Sequence, residues 1–115
     1  MKYLFVFNDS PYGNQRTYNG LRLAVALVQA SLKVNIFLLG DGVTAALDGF
    51  NPAHADYNPQ EMLKFVAERG TPIGVCRTCL EARGIPDSSL LAGATRSTMD
   101  QLVAWTEECE KVLVF

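Results

Sequence analysis

The sequence predicts a three-layer α/β/α domain, and three observations lead to this fold class. Residues 3–7 are a continuous apolar run, which suits a central parallel strand that is covered on both faces, and the largely apolar segment 34–39 is a second predicted strand. Segments with helical patterns alternate with the apolar runs, which is typical of a parallel sheet with right-handed crossovers. The 115 residues contain no repeat and no linker composition, so we expect one domain spanning residues 1–115.

The first elements are a strand, a helix and a second strand. The strand at 3–7 ends in the turn residues 8–13. The predicted helix at 14–30 is apolar on more than one side between residues 21 and 28. A surface helix would have a polar face there, so we expect this helix to contact both its own sheet and a second subunit. After the second strand, a glycine turn and a short helix occupy residues 40–47.

The middle of the chain contains a polar loop and another predicted helix. The loop at 48–58 is rich in Pro, Gly, Asn and Asp and contains His54, the single histidine. We interpret His54 as a solvated loop residue rather than as a catalytic partner for a cysteine. Asn58 as the N-cap and Pro59 at the first helical position predict a helix start. Gly70 is predicted to end this helix.

The second half of the chain is predicted to contain three more strands and a final helix. The strands are expected at 72–75, as a short segment around 94–95, and at 111–115. A single helical turn lies between the first two of these strands. Thr98 is the predicted cap of the final helix, which runs to about residue 108. The predicted inward-facing residues of this helix are Leu102, Val103 and Trp105.

The candidate functional segment is 70–86, where a strand, a loop and a helix start follow one another. Cys76 comes at the end of the strand, and α/β proteins bind ligands outside the carboxyl ends of their strands. The helix start and two guanidinium groups, Arg77 and Arg83, favour the thiolate over the thiol. The segment therefore predicts a nucleophilic or sulfur-carrying thiolate at Cys76, with Cys79 as a second thiol nearby.

Two other cysteine chemistries fit the pattern less well. Thioredoxin-type redox chemistry uses Cys-x-x-Cys at a helix start, but here the motif comes late and has no aromatic residue before it. A structural zinc site needs four ligands, and one Cys-x-x-Cys stands alone, so we expect no metal and no cofactor. Cys109 lies among three glutamates, which raise the pKa of a thiol, so it should be the least reactive cysteine.

Composition excludes several classes of partner. The formal net charge of −2 and the lack of a basic run argue against direct nucleic-acid binding. No apolar run reaches the roughly 20 residues of a membrane span. Three cysteines without a secretory signal favour the reducing cytoplasm. The charged fraction of 19% is below the usual value of about 25%, which predicts that other subunits cover part of the surface.

Seven short motifs, spread in order along the whole chain, together carry a family resemblance. They are Pro11-Tyr12-Gly13, Leu21-Arg22-Leu23-Ala24, Gly40-Asp41-Gly42-Val43, Tyr57-Asn58, Gly74-Val75-Cys76-Arg77-Thr78-Cys79, Arg83-Gly84-Ile85 and Lys111-Val112-Leu113-Val114-Phe115. With these motifs the chain resembles the DsrE/DsrF-like family, and within it the small YchN-like branch. The cysteine motif followed by Arg-Gly is the most specific of them.

The resemblance implies a flavodoxin-like or Rossmann-like domain with a five-stranded parallel sheet, assembled as a homohexamer. It also implies sulfur relay, in which a cysteine right after the third strand accepts sulfur as a persulfide and passes it to the next protein. Cys76 is the residue in the matching position, and its partners would be a sulfur-donor and a sulfur-acceptor protein. Cys79 matches only the YchN-like branch, where it would assist release or resolve the persulfide into a disulfide.

We therefore interpret the chain as a sulfur carrier, and two alternatives stay open. One is a dithiol redox protein that uses Cys76 and Cys79, and the other is a non-catalytic oligomer that binds a small anion or a partner. In the sulfur-carrier interpretation, residues at the helix start stabilise the anion, and the loop after the first strand lies beside Cys76. The predicted anion-stabilising residues are Arg77, Thr78 and Arg83. The predicted rim residues are Asn8, Ser10, Tyr12 and Gly13.

Overall fold

A five-stranded, all-parallel sheet with helices on both sides forms the centre of the computed structural model, which describes residues 1–53 and 56–115. The predicted three-layer α/β fold class is confirmed. His54 lies outside the described residues, so its interpretation as a solvated loop residue stays a prediction.

Strands and helices alternate along the chain as predicted, with small shifts of their bounds. The short helix expected at 43–47 is a 3₁₀ helix that already begins at Gly40. No helix in the described part of the chain is long and apolar enough to cross a membrane. The elements are β1 (Lys2–Phe7), α1 (Arg16–Gln29), β2 (Lys33–Leu38), the 3₁₀ helix (Gly40–Ala46), α2 (Pro59–Glu68), β3 (Ile73–Cys76), α3 (Arg77–Ala82), a 3₁₀ turn (Asp87–Ser89), β4 (Ala94–Ser97), α4 (Met99–Glu108) and β5 (Lys111–Val114).

The helix boundaries follow the capping signals in the sequence. The side chain of Asn58 accepts a hydrogen bond from the backbone amide of Glu61 at 3.1 Å, and Pro59 is the first residue of α2. Gly70, just beyond the end of α2, has a φ of 90°, which suits glycine. Thr98 is the N-cap of α4, although its side chain makes no capping hydrogen bond. Local sequence therefore fixes where α2 begins and ends.

The strand order β4-β3-β2-β1-β5 places β1, β2 and β3 in the interior of the sheet and β4 and β5 at its edges. The apolar run of β1 is buried between β2 and β5, as its continuous hydrophobicity predicts. Because β2 lies between β1 and β3, the loops that follow β1 and β3 are not neighbours. This spacing decides which residues reach the cysteines.

One face of the sheet carries Cys76 and is covered by α4. The ring of Phe37 on this face meets Trp105 of α4 edge-on, with 6.1 Å between ring centroids. Phe37 pairs with Gly74, and Cys76 pairs with Ser97 two residues further along β3. Alternate residues of a strand share a face, so Cys76 lies on the same side of the sheet as Phe37 and α4.

The opposite face packs against α1, which in turn packs against α2. The rings of Phe5, Phe7 and Phe115 stack there, with 5.8 Å between the centroids of Phe5 and Phe115. A Cβ on Gly20 of α1 would lie 2.5 Å from the ring of Phe7, so glycine lets the helix approach closely. The apolar residues of α1 that do not face the sheet are therefore covered in part by α2, within the same chain.

The inward orientation predicted for Val103 is wrong. Leu102 and Trp105 are partly buried against the core, but Val103 is 51% exposed. One residue along a helix is a rotation of about 100°, so Val103 lies on the flank of α4 that also carries Met99 four residues earlier. Both apolar side chains point away from the core, and Met99 is 57% exposed.

The 3₁₀ helix after β2 packs directly on the end of β1 through Gly42. The backbone amide of Gly42 donates to the carbonyl of Asn8 at 3.1 Å. A Cβ built on Gly42 would lie 2.2 Å from the carbonyl oxygen of Phe7, closer than two such atoms can come. Only glycine therefore permits this approach, and the contact fixes the position of the 3₁₀ helix over the sheet edge.

We expect Gly42→Ala to lower the free energy of unfolding by about 3 kcal/mol, because the added methyl group meets backbone that cannot move alone. Urea denaturation measures this change. Gly49→Ala is the control, because a Cβ added there has no atom within 4 Å. Gly49 has a φ of 90°, so this variant should lower the free energy of unfolding by only about 1 kcal/mol, for the left-handed conformation of alanine. Equal losses in the two variants would contradict the steric argument.

Candidate functional site

The two cysteines of the Cys-x-x-Cys motif lie at the junction of β3 and α3. Cys76 is the last residue of β3 and the N-cap of α3, and Cys79 is the third residue of that helix. Cys76 is 6% exposed and Cys79 is half-buried, and both are free thiols. The structure thus places both thiols at the carboxyl edge of the sheet, where α/β proteins bind their ligands.

The surroundings of Cys76 favour its thiolate. Its Sγ lies 3.2 Å from the hydroxyl oxygen of Thr78. Burial opposes ionisation, but hydrogen bonding from the Thr78 hydroxyl, the Cys79 thiol and the backbone amides of both residues outweighs it. The pKa of Cys76 is therefore lowered from its ordinary value.

The surroundings of Cys79 have the opposite effect. Burial raises the pKa of the Cys79 thiol, and its hydrogen bond with Cys76 raises that pKa further. The backbone amide of Gly40, at the start of the 3₁₀ helix, donates to the Cys79 Sγ at 3.2 Å and only partly offsets these effects. The two thiols are thus unequal: Cys76 is the better anion, and Cys79 holds its proton more tightly.

The two predicted anion-stabilising arginines bind carboxylates instead of the Cys76 sulfur. Arg83 donates to Asp41 at 2.7 Å and to the backbone carbonyl of Cys79 at 3.0 Å, so it ties the end of α3 to the 3₁₀ helix. Arg77 lies 3.9 Å from a carboxylate one turn along α3, in an exposed pair. Hydrogen bonds from neighbouring residues, rather than these guanidinium groups, account for the lowered pKa of Cys76.

A cavity of about 360 Å³ opens beside Cys76. It is lined by residues 76–78 and by residues 97–100, which connect β4 to α4. Sequence reasoning predicted Thr98 only as a helix cap and did not assign residues 97–100 to the site. The signal that places them there is the pairing of β4 with β3, in which Ser97 is the partner of Cys76.

The predicted rim at residues 8–13 does not line this cavity. The expectation assumed that β1 and β3 are neighbours, but β2 lies between them. The loop instead reaches the Cys79 side of the site indirectly, through the bond between Asn8 and Gly42 of the 3₁₀ helix. The other members of the predicted rim have local roles: Ser10 binds the carbonyl of Tyr12, Tyr12 binds Gln60, and Gly13 adopts a positive φ.

Cys109 lies apart from this pair, at the opposite end of α4. Burial raises its pKa, the Lys2 ammonium group partly opposes this, and the carboxylates of Glu108 and Glu110 raise the pKa further. In residues 1–53 and 56–115, no three His, Cys, Asp or Glu side chains converge as they would around a metal ion. The thiols at the candidate site are thus the unequal pair Cys76 and Cys79, and Cys109 lies outside it.

Comparisons with known proteins give sequence and structural matches over the whole chain. A sequence model of the DsrE/DsrF-like family matches residues 1–115. Protein YchN of Escherichia coli strain K12 is 39% identical over 116 residues, which cover 99% of this chain and 98% of YchN. The crystal structure of YchN from E. coli matches with a TM-score of 0.94 at 38% identity and covers 100% of this chain and 99% of that one. A protein TusC homolog of Aliivibrio fischeri is 27% identical over 115 residues and covers 96% of both chains.

We expect alkylation near neutral pH to label Cys76 first and Cys109 last. The thiolate is the form that reacts, so the lowered pKa of Cys76 moves the midpoint of its rate–pH profile below that of Cys79 or Cys109. Thr78→Val removes the hydroxyl and should move the Cys76 midpoint to higher pH, whereas Thr78→Ser should preserve it. Iodoacetamide labelling at a series of pH values, read by peptide mass spectrometry, measures both effects.

The matched control for this experiment is Thr106→Val. The Thr106 hydroxyl binds the backbone carbonyl of Leu102 on exposed α4 and should not influence the Cys76 profile. A Cys76 midpoint that stays in place in Thr78→Val, or labelling that reaches Cys109 first, would overturn the hydrogen-bond argument.

Proposed function

The chain belongs to the DsrE/DsrF-like family, and on that premise we propose that it carries sulfur, as a persulfide on Cys76, between two partners of a sulfur relay. The observation that carries the proposal is the Cys76 thiol at the end of β3, with its lowered pKa and an adjoining cavity. The similarity to a TusC homolog supports the same class of function.

The transfer needs only thiol chemistry. The Cys76 thiolate attacks the outer sulfur of a persulfide on the donor, a sulfur–sulfur bond forms, and the donor leaves as its own thiolate. In the second step, a thiolate of the acceptor attacks the outer sulfur on Cys76, and Cys76 leaves as the anion that the Thr78 hydroxyl stabilises. A leaving thiol of low pKa departs faster, so the same hydrogen bonds assist delivery.

The partners in this proposal are a sulfur-donor and a sulfur-acceptor protein. The cavity beside Cys76 opens between α3 and the start of α4, which gives a donor or acceptor cysteine a path to the buried sulfur. We assign the relay to the cytoplasm, because free thiols such as these three persist in a reducing compartment.

A second candidate is a dithiol redox protein, which the contact between Cys76 and Cys79 favours. Such a protein would exchange electrons with another dithiol without ever holding an extra sulfur atom. Rapid, reversible disulfide formation with a thiol–disulfide buffer, together with failure to accept sulfur from a persulfide donor, would identify this candidate.

The proposed carrier is a homo-oligomer, with a hexamer as the form that the family resemblance implies. Four of the exposed large apolar side chains belong to α4 and β5, namely Met99, Val103, Val112 and Val114. By register, the two valines of β5 lie on the face of the sheet that α4 covers. A second copy seated there would remove this apolar surface from water. The interface expected on α1 has a smaller exposed apolar surface, chiefly Leu23.

Incubation with a cysteine desulfurase and cysteine, followed by a rapid acid quench, should add the mass of one sulfur atom to the chain, removable by reductant. The reason is that Cys76 has the lowest pKa of the three thiols, so more of it is thiolate near neutral pH. Intact mass spectrometry measures the addition. Cys76→Ser should not gain this mass, whereas the control Cys109→Ser should gain it as the unmodified protein does. Equal loading of Cys76→Ser and the unmodified protein would refute the assignment.

The oligomer should depend on β5 more than on α1. Val114 is 65% exposed, so Val114→Glu should leave the fold intact but place a charge in the proposed interface and weaken assembly. Leu23→Glu serves as the comparison on α1. Sedimentation velocity at micromolar concentration measures the distribution of species. A monomeric parent protein would contradict self-association, and a larger effect of Leu23→Glu would move the interface to α1.

A further inference from the structure

We propose that Cys79 discharges the persulfide within the protein: its sulfur attacks the Cys76 Sγ, expels the outer sulfur as hydrosulfide and leaves a Cys76–Cys79 disulfide. This activity, sulfide release, rests on the proposed function, because it requires a persulfide on Cys76. It gives the chain a second outcome for bound sulfur, besides transfer to an acceptor protein.

The positions of the two sulfurs carry the inference. Cys76 is the N-cap of α3 and Cys79 is the third residue of the same helix. An N-cap side chain lies on the side of the second and third helical residues, and the Cys76 sulfur is 3.2 Å from the hydroxyl oxygen of Thr78, the residue next to Cys79. Cys-x-x-Cys at a helix start is also the arrangement in which proteins form and break disulfides reversibly. A disulfide between these residues therefore needs no rearrangement of β3.

The position of α3 keeps the second sulfur at this junction. Arg83 binds Asp41 of the 3₁₀ helix and the carbonyl of Cys79, so both ends of the last turn of α3 are held. The Cys79 sulfur is fixed on its other side by the amide of Gly40. Cys79 thus lies between the 3₁₀ helix and Cys76, and the nearest sulfur electrophile that it meets is a persulfide on Cys76.

The inequality of the two thiols assigns their roles. Cys76 ionises more readily and adjoins the cavity, so it is the thiol that meets the donor. Cys79 stays protonated and does not compete for incoming sulfur. Both sulfurs belong to one helix start, since Cys76 is the N-cap of α3 and Cys79 is its third residue. The order of events is therefore loading at Cys76 and then attack by Cys79.

The step balances without any external reagent. The Cys79 thiol and the anionic persulfide of Cys76 react to give the disulfide and one hydrosulfide ion. The bond between Cys79 and Cys76 forms, and the bond between the Cys76 Sγ and the outer sulfur breaks. The outer sulfur leaves with the bonding electron pair and with the proton of Cys79. The outer sulfur is reduced and the Cys79 sulfur is oxidised, while the Cys76 Sγ exchanges one sulfur–sulfur bond for another.

Return to the starting state requires an external dithiol, of the chemical class of dithiothreitol. The half-buried Cys79 is the more accessible sulfur of the disulfide, because Cys76 is only 6% exposed. A thiolate of the dithiol attacks Cys79, and Cys76 departs as the thiolate that its hydrogen bonds stabilise. The second thiolate of the reductant then releases Cys79 and restores the dithiol pair.

The lifetime of the loaded persulfide tests this activity. The oligomeric protein is loaded with a cysteine desulfurase and cysteine, desalted, and sampled over time by intact mass spectrometry, with free sulfide measured in parallel. The unmodified protein should lose the added sulfur, release about one sulfide per loaded chain and lose the mass of two hydrogen atoms. Cys79→Ser should hold the added sulfur at least about tenfold longer and form no disulfide. The control Cys109→Ser should behave as the unmodified protein does.

The outcomes separate this inference from the proposed function. Peptide mapping that places the added sulfur on Cys76 in Cys79→Ser shows that this variant still accepts sulfur at the proposed site. Persulfide lifetimes that agree within about twofold in the two proteins overturn sulfide release and leave the carrier function intact. A disulfide that peptide mapping assigns to Cys109 also overturns it. A protein whose Cys76 takes up no sulfur at all overturns both proposals.

Discussion

The site depends on one close backbone contact, between the glycine-containing 3₁₀ helix after β2 and the end of β1. Gly42 has no side chain, so its backbone reaches the carbonyl groups of Phe7 and Asn8. That contact sets the height of the 3₁₀ helix above the sheet edge. From this position Gly40 donates to the sulfur of Cys79, while the neighbouring aspartate holds the arginine at the end of α3. The environment of the second thiol is therefore built by two strands and a helix that lie far from it in sequence.

Much of the fold and the location of the reactive pair could be predicted from the sequence because the signals are local. Unbroken apolar runs indicate interior parallel strands, and β1 is such a strand. Asn58 and Gly70 mark the ends of α2 through the hydrogen bond and the backbone angle that those residue types favour. Cys76 could be placed at a strand end, beside a helix start, by reading four or five residues on either side.

The neighbours of that pair could not be predicted, because they depend on strand order and on side-chain partners. Local sequence patterns do not reveal that β2 lies between β1 and β3. The loop at 8–13 is therefore predicted beside Cys76, but in the structure residues 97–100 occupy that place. Positive charge near a thiol was taken as stabilisation of the thiolate, but Arg83 is engaged by a carboxylate from a distant segment. Val103 is apolar yet exposed, since hydrophobicity alone does not give the rotation of a helix.

The pairing of β1 with β5 has a consequence for how the chain folds. Tyr3 pairs with Lys111, and the ring of Phe115 completes the aromatic stack on Phe5 and Phe7. Contacts between residues so far apart in sequence close large loops, and they slow folding because chain entropy is lost before the contact forms. During synthesis β1 is made before β5, so this edge of β1 stays unpaired until β5 follows. The topology therefore leaves one edge of β1 unpaired in any partly folded chain that lacks β5, and unpaired strand edges promote aggregation.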